Sequence, residues 1–190
     1  MRPRAYVIAH GNSAVVRDCL TSLNEHGWSY EIAPAVDGRT ITDQDWHKIG
    51  VEMSPTAGKL PRRPGAQGCW FSHWRLWNLC VDTSQPMIIL EHDAIVQGPW
   101  PEDLDFTQEI VKLYRTAPCK TKAELGVWSK GSHAYTVTPD QAQALIDRGR
   151  AWGASPVDKH IISGVIPWRF LDHDLVRLNP RRGPSTTSGL

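Results

Sequence analysis

Apolar runs and an amphipathic helical pattern alternate at the start of the chain. Residues 4–9 and 28–36 have the length and apolar character of strands. Between them, Asn12 or Ser13 can cap a helix whose apolar residues recur at helical spacing until Gly27. A strand, a helix and a second strand in this order predict two parallel strands joined by a crossover helix.

Two more helices and a third strand are predicted downstream. Thr42 can cap a short helix that runs to Ile49, and residues 67–81 form a strongly apolar helical pattern. Residues 50–68 are rich in Pro, Gly and Arg and predict a long loop, which inside a domain is usually functional or mobile. Residues 87–90 predict a short buried strand that leads directly into an acidic segment.

The second half of the chain has a weaker pattern. Residues 110–114 fit either a strand or a helix, and Pro139 opens a helix that ends near Gly149. Another helix starts in the segment from Ser155 to Asp158. Further strands are predicted at residues 125–128, 133–138 and 166–178.

Strands that alternate with helices predict an α/β fold with a mostly parallel central sheet flanked by helices. We expect one domain over residues 1–178 and an irregular C-terminal tail over residues 179–190. Sheets of this kind bind ligands beyond the carboxyl ends of their strands. The acidic segment that follows the strand at 87–90 lies at such an end.

Composition narrows the class of protein. The 190 residues carry a formal charge of +1, which argues against a surface that grips nucleic acid, and no apolar run is long enough to span a membrane. The start of the chain is interpreted as a first strand and not as a signal peptide.

None of the four cysteines forms a Cys-x-x-Cys pair. Reduced thiols of this kind are typical of the cytoplasm, where we expect the protein to act. Trp70, Trp74 and Trp77 lie at helical spacing and are expected in the core.

Glu91 and Asp93 form the most informative pair of side chains. Two residues apart on an extended segment, they point to the same side. Alternation favours an orientation in which His92 between them faces away, and the alternative is that His92 ligates the metal. Buried carboxylates need a cation, and hard divalent ions prefer oxygen ligands. The pair is therefore expected to hold a divalent metal. The alternative is that the two acids begin a solvated loop and pair with arginines.

Five segments occur in the order found in one enzyme family. They are Gly68-Cys-Trp-Phe-Ser-His-Trp74, Pro86-Met-Ile-Ile-Leu-Glu-His-Asp93, Ala35-Val-Asp-Gly38, Gly131-Ser-His-Ala-Tyr135 and Pro156-Val-Asp158. Together they resemble glycosyltransferase family 25, which includes enzymes of bacterial lipooligosaccharide synthesis and collagen galactosyltransferases. His92 departs from the family pattern, because it stands where the family has the middle acid of a triplet.

The resemblance implies a glycosyltransferase A-type nucleotide-diphospho-sugar-binding fold. It also implies Mn²⁺ (or Mg²⁺) held by Glu91 and Asp93, a UDP-hexose donor (galactose or glucose), and inversion at the anomeric carbon. The acceptor would be a glycan, a lipooligosaccharide-type saccharide or another hydroxyl. The donor-binding positions that carry over are Asp37, Gly38, Ser72, His73 and Glu91. For Ser72 and His73 the resemblance leaves two roles open, donor binding or support of the site.

Inverting transfer needs a base for the acceptor proton, and the resemblance places Asp158 in that role. The competing explanation is that Ser155 and Asp158 form a capping arrangement, with Ser155 as the cap and an acid that stabilises the first helical turn. Asp172-His173-Asp174 could add a metal ligand, and Arg181-Arg182 could close over a diphosphate. The alternatives for the whole chain are a catalytically inactive relative that binds a nucleotide sugar or glycan, and a metal hydrolase.

Overall fold

A computed structural model describes residues 2–52, 63–116, 118–120 and 126–182. Its strands are β1 (Arg4–Ala9), β2 (Tyr30–Pro34), β3 (Met87–Glu91), β4 (Ala94–Val96), β5 (Ile110–Lys112), β6 (Pro118–Lys120), β7 (Val127–Ser129), β8 (Ala134–Val137), β9 (Trp168–Phe170) and β10 (Val176–Leu178). A six-stranded sheet occupies the centre, in the order β2-β1-β3-β8-β5-β9, and two small two-stranded sheets pair β10 with β4 and β6 with β7.

The central sheet is mixed, because β8 runs against both of its neighbours. Strand β1 is parallel to β2 and β3, and β9 is parallel to β5, so three of the five described pairs are parallel. Leu90 of β3 pairs with Ala134 of β8. An antiparallel neighbour brings the start of β8 to the sheet edge where β3 ends. The predicted acidic segment therefore meets residues 131–133 there.

Five helices surround the sheet within the described part of the chain. Ser13 caps the first and accepts the amide hydrogen of Val16, whereas Thr42 and Thr138 cap the second and fourth in capping boxes. A 3-10 turn, Gly38–Thr40, follows β2. The helices are α1 (Ala14–Glu25), α2 (Asp43–Ile49), α3 (Pro64–Thr83), α4 (Pro139–Trp152) and α5 (Val157–His160).

Side chains alternate across β3 and supply two hydrophobic cores. Met87 and Ile89 join the core that contains α3 and α4, and Ile88 and Leu90 join the core that contains α1. The predicted core position of the α3 tryptophans is confirmed, since Trp70, Trp74 and Trp77 are all buried. Helices thus cover both faces of the sheet, and the predicted α/β fold with a central sheet flanked by helices is confirmed.

Two predicted elements are wrong in their bounds. Helix α3 begins at Pro64, so the end of the predicted loop at 50–68 is helical, with proline in the first turn where its missing N–H costs nothing. The single strand predicted over 166–178 is two strands, β9 and β10, which pair with β5 and β4 in different sheets. Residues 53–62, 125 and 183–190, which the predicted loop, strand and tail include, lie outside the described residues.

The first residues of the predicted tail are irregular but anchored. The backbone N–H of the buried Asn179 donates to Asp93 O at 2.7 Å, and its side-chain amide donates to Asp18 Oδ2 at 2.9 Å. These bonds hold residues 179–182 against the connection between β3 and β4. Asp93 therefore contacts the end of the described chain.

Candidate metal and donor-binding site

The candidate site forms where β3 ends beside the start of β8. The backbone N–H of Glu91 donates to His133 O at 2.8 Å, which extends the β3–β8 ladder past its last paired residues. Glu91 follows Met87 and Ile89 in the alternation, so its side chain lies on the face that α3 covers. The sheet therefore directs a carboxylate towards the helix.

Glu91 and Asp93 converge on the same histidine. His133 Nδ1 lies 3.6 Å from Glu91 Oε2 and 3.3 Å from Asp93 Oδ1. The two carboxylates are thus brought together, as the acid-x-acid spacing predicts. The local backbone differs from the prediction, because His92 and Asp93 form a turn and not an extended segment.

His92 lies in that turn. Alternation along an extended segment would place His92 on the side opposite Glu91, but both residues line the same cavity. A turn breaks the two-residue period on which the prediction depends. The histidine that replaces the middle acid of the triplet therefore remains beside the site.

Three consecutive residues on the β7–β8 connection hold the acids of the site. The Gly131 N–H donates to Asp158 Oδ2 at 3.4 Å, and the Ser132 hydroxyl donates to Glu91 Oε1 at 2.6 Å. His133 then contacts Glu91 and Asp93. One short loop therefore connects the predicted metal ligands to the predicted base.

Charge in this group is strongly coupled. Burial opposes ionisation of Glu91, but the close approach and positive charge of His133 and His73 outweigh it, so the pKa of Glu91 lies well below its usual value. Burial also lowers the pKa of His133, but attraction to the nearby carboxylates of Asp93 and Glu91 prevails and raises that pKa to about 10. Without another cation, an imidazolium bridges the two carboxylates.

The donor atoms of Glu91, Asp93 and His133 fit a cation. One ligand atom from each lies within 4.8 Å of the others. Asp93 Oδ1 and His133 Nδ1 are buried and have no hydrogen-bond partner among the described residues. Their separation of 3.3 Å exceeds a good hydrogen bond but suits two ligands of one ion, because bonds of about 2.1 Å at right angles place ligands roughly 3 Å apart.

A cavity of about 310 Å³ adjoins this group on the α3 side. It brings together every residue predicted to bind the donor, and it adds two histidines, His10 and His92. A volume of this size is within the range of small-molecule sites. The predicted donor-binding residues that line it are Asp37, Gly38, Ser72, His73 and Glu91.

Not all of these residues have free polar groups. The Ser72 hydroxyl donates to Gly68 O at 2.6 Å and accepts the Val36 N–H at 2.9 Å, so it joins α3 to the segment after β2. A Cβ on Gly38 would lie 1.7 Å from Pro64 O. Ser72 and Gly38 therefore have a structural role, and of the two readings of Ser72 the geometry favours support.

The Asp37 carboxylate forms an ion pair with Arg39. The Arg39 Nε–H is shared between the two carboxylate oxygens at 3.0 and 3.1 Å, and Oδ2 also accepts a hydrogen bond from Nη2 at 2.6 Å. These bonds lower the pKa of Asp37 to about 2. The mouth of the cavity thus carries a paired carboxylate and guanidinium, and either group can meet a polar ligand when the pair opens.

Asp158 is half-buried near a buried lysine, Lys112. Its carboxylate accepts the Lys159 N–H at 2.9 Å in addition to that of Gly131. Burial raises the pKa of Asp158, and the hydrogen bonds and the positive charge of Lys112 oppose the rise. The predicted Ser155 cap is absent, since α5 begins after Pro156 and the Ser155 hydroxyl bonds to His160 Nδ1 at 3.2 Å.

Of the two remaining candidate segments, only the basic one at residues 181–182 reaches the site. Asp174 Oδ1 accepts the Arg115 N–H at 2.9 Å, and His173 is in neither of the potential metal-binding groups found among the described residues. Arg182 does reach the site, with Nη1 3.8 Å from Asp93 Oδ2. Arg182 therefore adds positive charge beside the predicted metal ligands, whereas Arg181 Nη1 lies 3.6 Å from Asp18 Oδ1.

Comparison with known proteins decides the family. The sequence model of glycosyltransferase family 25, described as an LPS biosynthesis protein, matches residues 6–122, which is more than half of the chain. The chain belongs to glycosyltransferase family 25.

Curated members of family 25 match a shorter region. A "Glycosyltransferase 25 family member" of Aedes aegypti is 32% identical over 83 residues, which cover 42% of this chain and 14% of that protein. "Procollagen galactosyltransferase 1" of Danio rerio is 30% identical over 79 residues, or 39% of this chain and 13% of that protein. The chain thus spans a small part of the length of these relatives.

One similar solved structure is a glycosyltransferase described as involved in the glycosylation of the major capsid of PBCV-1. The alignment covers 90% of this family 25 chain and 82% of the chain of that structure. The alignment has a TM-score of 0.42 and 12% identity. Within the described residues of the family 25 chain, no helix has both the length and the apolar character needed to cross a membrane.

Sequence reasoning about this family 25 chain missed several residues of the site. His10 directly follows β1, so its position at the carboxyl end of a parallel strand was a usable signal. Ser132 lies inside the Gly-x-x-Ala-Tyr segment, but nothing in the spacing indicates its bond to Glu91. The placement of Lys112 depends on packing at long range, and no local pattern reveals it.

Proposed function

We propose that the protein transfers a hexose from a UDP-sugar to a hydroxyl acceptor with inversion, using a divalent cation held by Glu91, Asp93 and His133. One observation carries the proposal. The predicted donor-binding residues line one cavity, and the three cation-binding side chains meet at its edge. Mn²⁺ or Mg²⁺ bound there would neutralise the charge that develops on a diphosphate leaving group.

The residues of this chain have distinct parts in the proposed reaction. Asp158 takes the acceptor proton while the hydroxyl oxygen forms its bond to the anomeric carbon. The bond from that carbon to the diphosphate oxygen breaks, and its electron pair leaves with UDP. Because burial raises the pKa of Asp158, its carboxylate is a stronger base than an exposed aspartate. Arg182 adds positive charge on the side of Asp93.

Membership of the family supports a chemical class of acceptor but no individual acceptor. The family description names LPS biosynthesis, and the zebrafish relative is named for procollagen. These acceptors share an alcohol oxygen on a larger molecule. We therefore propose a saccharide, such as a lipooligosaccharide-type acceptor, or another hydroxyl as the substrate.

The test combines ligand binding with turnover. We expect UDP to raise the melting temperature only with Mn²⁺, and UDP-galactose or UDP-glucose to release UDP only with Mn²⁺. Asp93→Asn should abolish both effects, Asp158→Asn should abolish release alone, and the exposed Asp172→Asn should change neither. Equal stabilisation of the wild type and Asp93→Asn would remove Asp93 from the site.

A second candidate is a relative that binds a nucleotide sugar or glycan without transfer. The observation that favours it is the imidazolium of His133, which can neutralise Glu91 and Asp93 with no metal. This candidate expects UDP-sugar binding that is independent of Mn²⁺, with no release of UDP. The experiment above separates the two.

A further inference from the structure

A second group of potential metal ligands lies on the other side of Glu91. Cys69 and His73 are one helical turn apart on α3, so their side chains share a face, and Glu91 approaches that face from the end of β3. One ligand atom from each of the three lies within 4.8 Å of the others. Sulfur, imidazole nitrogen and carboxylate oxygen are the ligands that proteins use for zinc.

His73 directs an unpartnered nitrogen into this group. Its ring is fully buried, and its Nδ1 lies 2.8 Å from the Tyr135 hydroxyl, which also accepts the Trp77 Nε1–H at 2.9 Å. Nε2 has no hydrogen-bond partner within the described part of the chain. A histidine that binds a metal through one nitrogen commonly bonds a polar group through the other.

The distance from His73 to Glu91 suits a shared ion better than a direct bond. Nε2 lies 3.6 Å from Glu91 Oε1, which is too long for a good hydrogen bond. Two nitrogen or oxygen ligands about 2.0–2.1 Å from a tetrahedral zinc ion are roughly 3.3–3.4 Å apart. A shift of a few tenths of an ångström would complete that geometry.

We propose that Cys69, His73 and Glu91 bind one thiophilic divalent cation of the Zn²⁺ class, with the fourth position open to the cavity. All three residues line the cavity, so an ion can enter from it. Binding releases the thiol proton to solvent and moves the His73 proton from Nε2 to Nδ1, where the Tyr135 oxygen accepts it. Burial keeps the pKa of free Cys69 high, and the ion supplies the charge that stabilises the thiolate.

The shared Glu91 makes the two groups compete. A hard ion such as Mn²⁺ favours the oxygen-rich group with Asp93, whereas Zn²⁺ favours the group that contains sulfur. A zinc ion bound to Cys69 withdraws Glu91 from the carboxylate pair. Zinc would then inhibit by displacement, a consequence that rests on the proposed function, whereas the zinc site itself does not.

Cobalt is the probe for the site, because a Co²⁺–thiolate bond gives a near-ultraviolet charge-transfer absorption. We expect Co²⁺ to produce this absorption in the wild type and Zn²⁺ to remove it. Cys69→Ser should lose it, and Cys80→Ser, the same change at a buried cysteine of α3, should retain it. Circular dichroism of each variant establishes folding. Absence of the band in the folded wild type, or its persistence in Cys69→Ser, would overturn the proposal.

Competition is then measured by Mn²⁺ electron paramagnetic resonance. The Zn²⁺ concentration that displaces half of the bound Mn²⁺ should rise at least about tenfold in Cys69→Ser, the smallest loss expected even for a residue that only supports a ligand. An equal concentration in both proteins would overturn the shared use of Glu91. If no variant transfers sugar, the cobalt spectrum still decides the site, so the two proposals fail separately.

Discussion

At the scale of single residues, the loop Gly131-Ser132-His133 determines how the acids of the site are held. Its three members contact Asp158, Glu91 and Asp93 through a backbone N–H, a hydroxyl and an imidazole. Substitution of Ser132 removes the hydroxyl contact to Glu91, and substitution of His133 removes the imidazole contacts to both carboxylates. The Gly131 contact comes from the backbone N–H, so side-chain substitution does not remove it.

Ser132→Ala removes the only hydroxyl bond that the described residues provide to Glu91. Glu91 would keep its backbone bond to His133 O but lose the 2.6 Å contact that orients its carboxylate. Loss of a residue that orients a metal ligand commonly costs about 10–100-fold in affinity, and we expect a Mn²⁺ dissociation constant about tenfold higher. Calorimetric titration measures it, with Ser22→Ala, a buried serine away from the site, as the control.

Lys112→Met tests how the base is tuned. The Lys112 ammonium is buried, donates to Ser129 Oγ at 2.7 Å and lowers the pKa of Asp158. Removing this charge should raise the pKa of Asp158, so protonation would begin at higher pH and the acidic limb of kcat/KM would move upward. Lys130→Met, an exposed change nearby, should leave the profile unchanged. An unmoved limb in Lys112→Met would mean that Asp158 is not the titrating base.

At the scale of elements, the critical junction joins the start of α3 to the segment after β2. A Cβ on Gly68 would lie 2.4 Å from Val36 O, and the Ser72 hydroxyl bonds to the same segment. The close approach fixes the position of α3, which carries Cys69 and His73 into the site. The glycines and Ser72 of the family motifs thus have a packing role, and the side chains that can bind a ligand are those of the neighbouring Cys69 and His73.

Gly68→Ala should therefore destabilise the protein although alanine favours a helix. The methyl group would push α3 away from backbone atoms that have no room to move, and overpacking of this kind costs about 1–3 kcal/mol. Chemical denaturation measures the free energy of unfolding. In Gly98→Ala the nearest atom lies 3.8 Å from the new Cβ, so that change should be nearly neutral. Equal stability of the two variants would contradict the proposed junction.

Local patterns predicted those elements whose boundaries carry their own signals. Ser13, Thr42 and Pro139 mark the starts of α1, α2 and α4 because caps and proline act within a single turn. The convergence of Glu91 and Asp93 was predicted from an extended segment, whereas a turn at residues 92–93 brings the two carboxylates together. The direction of β8 was not predictable, since pairing partners are chosen by contacts distant in sequence. The position of His92 beside the cavity was not predicted either, because the same turn replaces the extended segment.

At the scale of the whole molecule, His160 connects the site to the core. Its ring stacks on Trp77 and meets Trp70 edge-on, Nε2–H donates to Leu145 O at 2.9 Å, and Asp158 lies two residues earlier on α5. Burial lowers the pKa of His160 from 6.5 to about 3. The folded protein therefore holds a neutral imidazole at a pH where the unfolded chain is already protonated.

His160 makes the stability of the protein fall in mild acid. Because its pKa is depressed in the folded state, the stabilisation is fully present above about pH 6.5 and is lost as pH falls towards 3. One pKa unit corresponds to about 1.4 kcal/mol, so between about pH 7.5 and pH 5 this group alone removes roughly 2 kcal/mol from the free energy of unfolding.

His160→Gln should lose that part of the pH dependence, whatever its own stability at neutral pH. Urea titrations at the two pH values measure the difference, and the exposed His47→Gln should retain the wild-type difference. If His160→Gln retained the difference as well, the loss of stability in acid would come from other groups, and protonation of the buried His160 ring would not explain it.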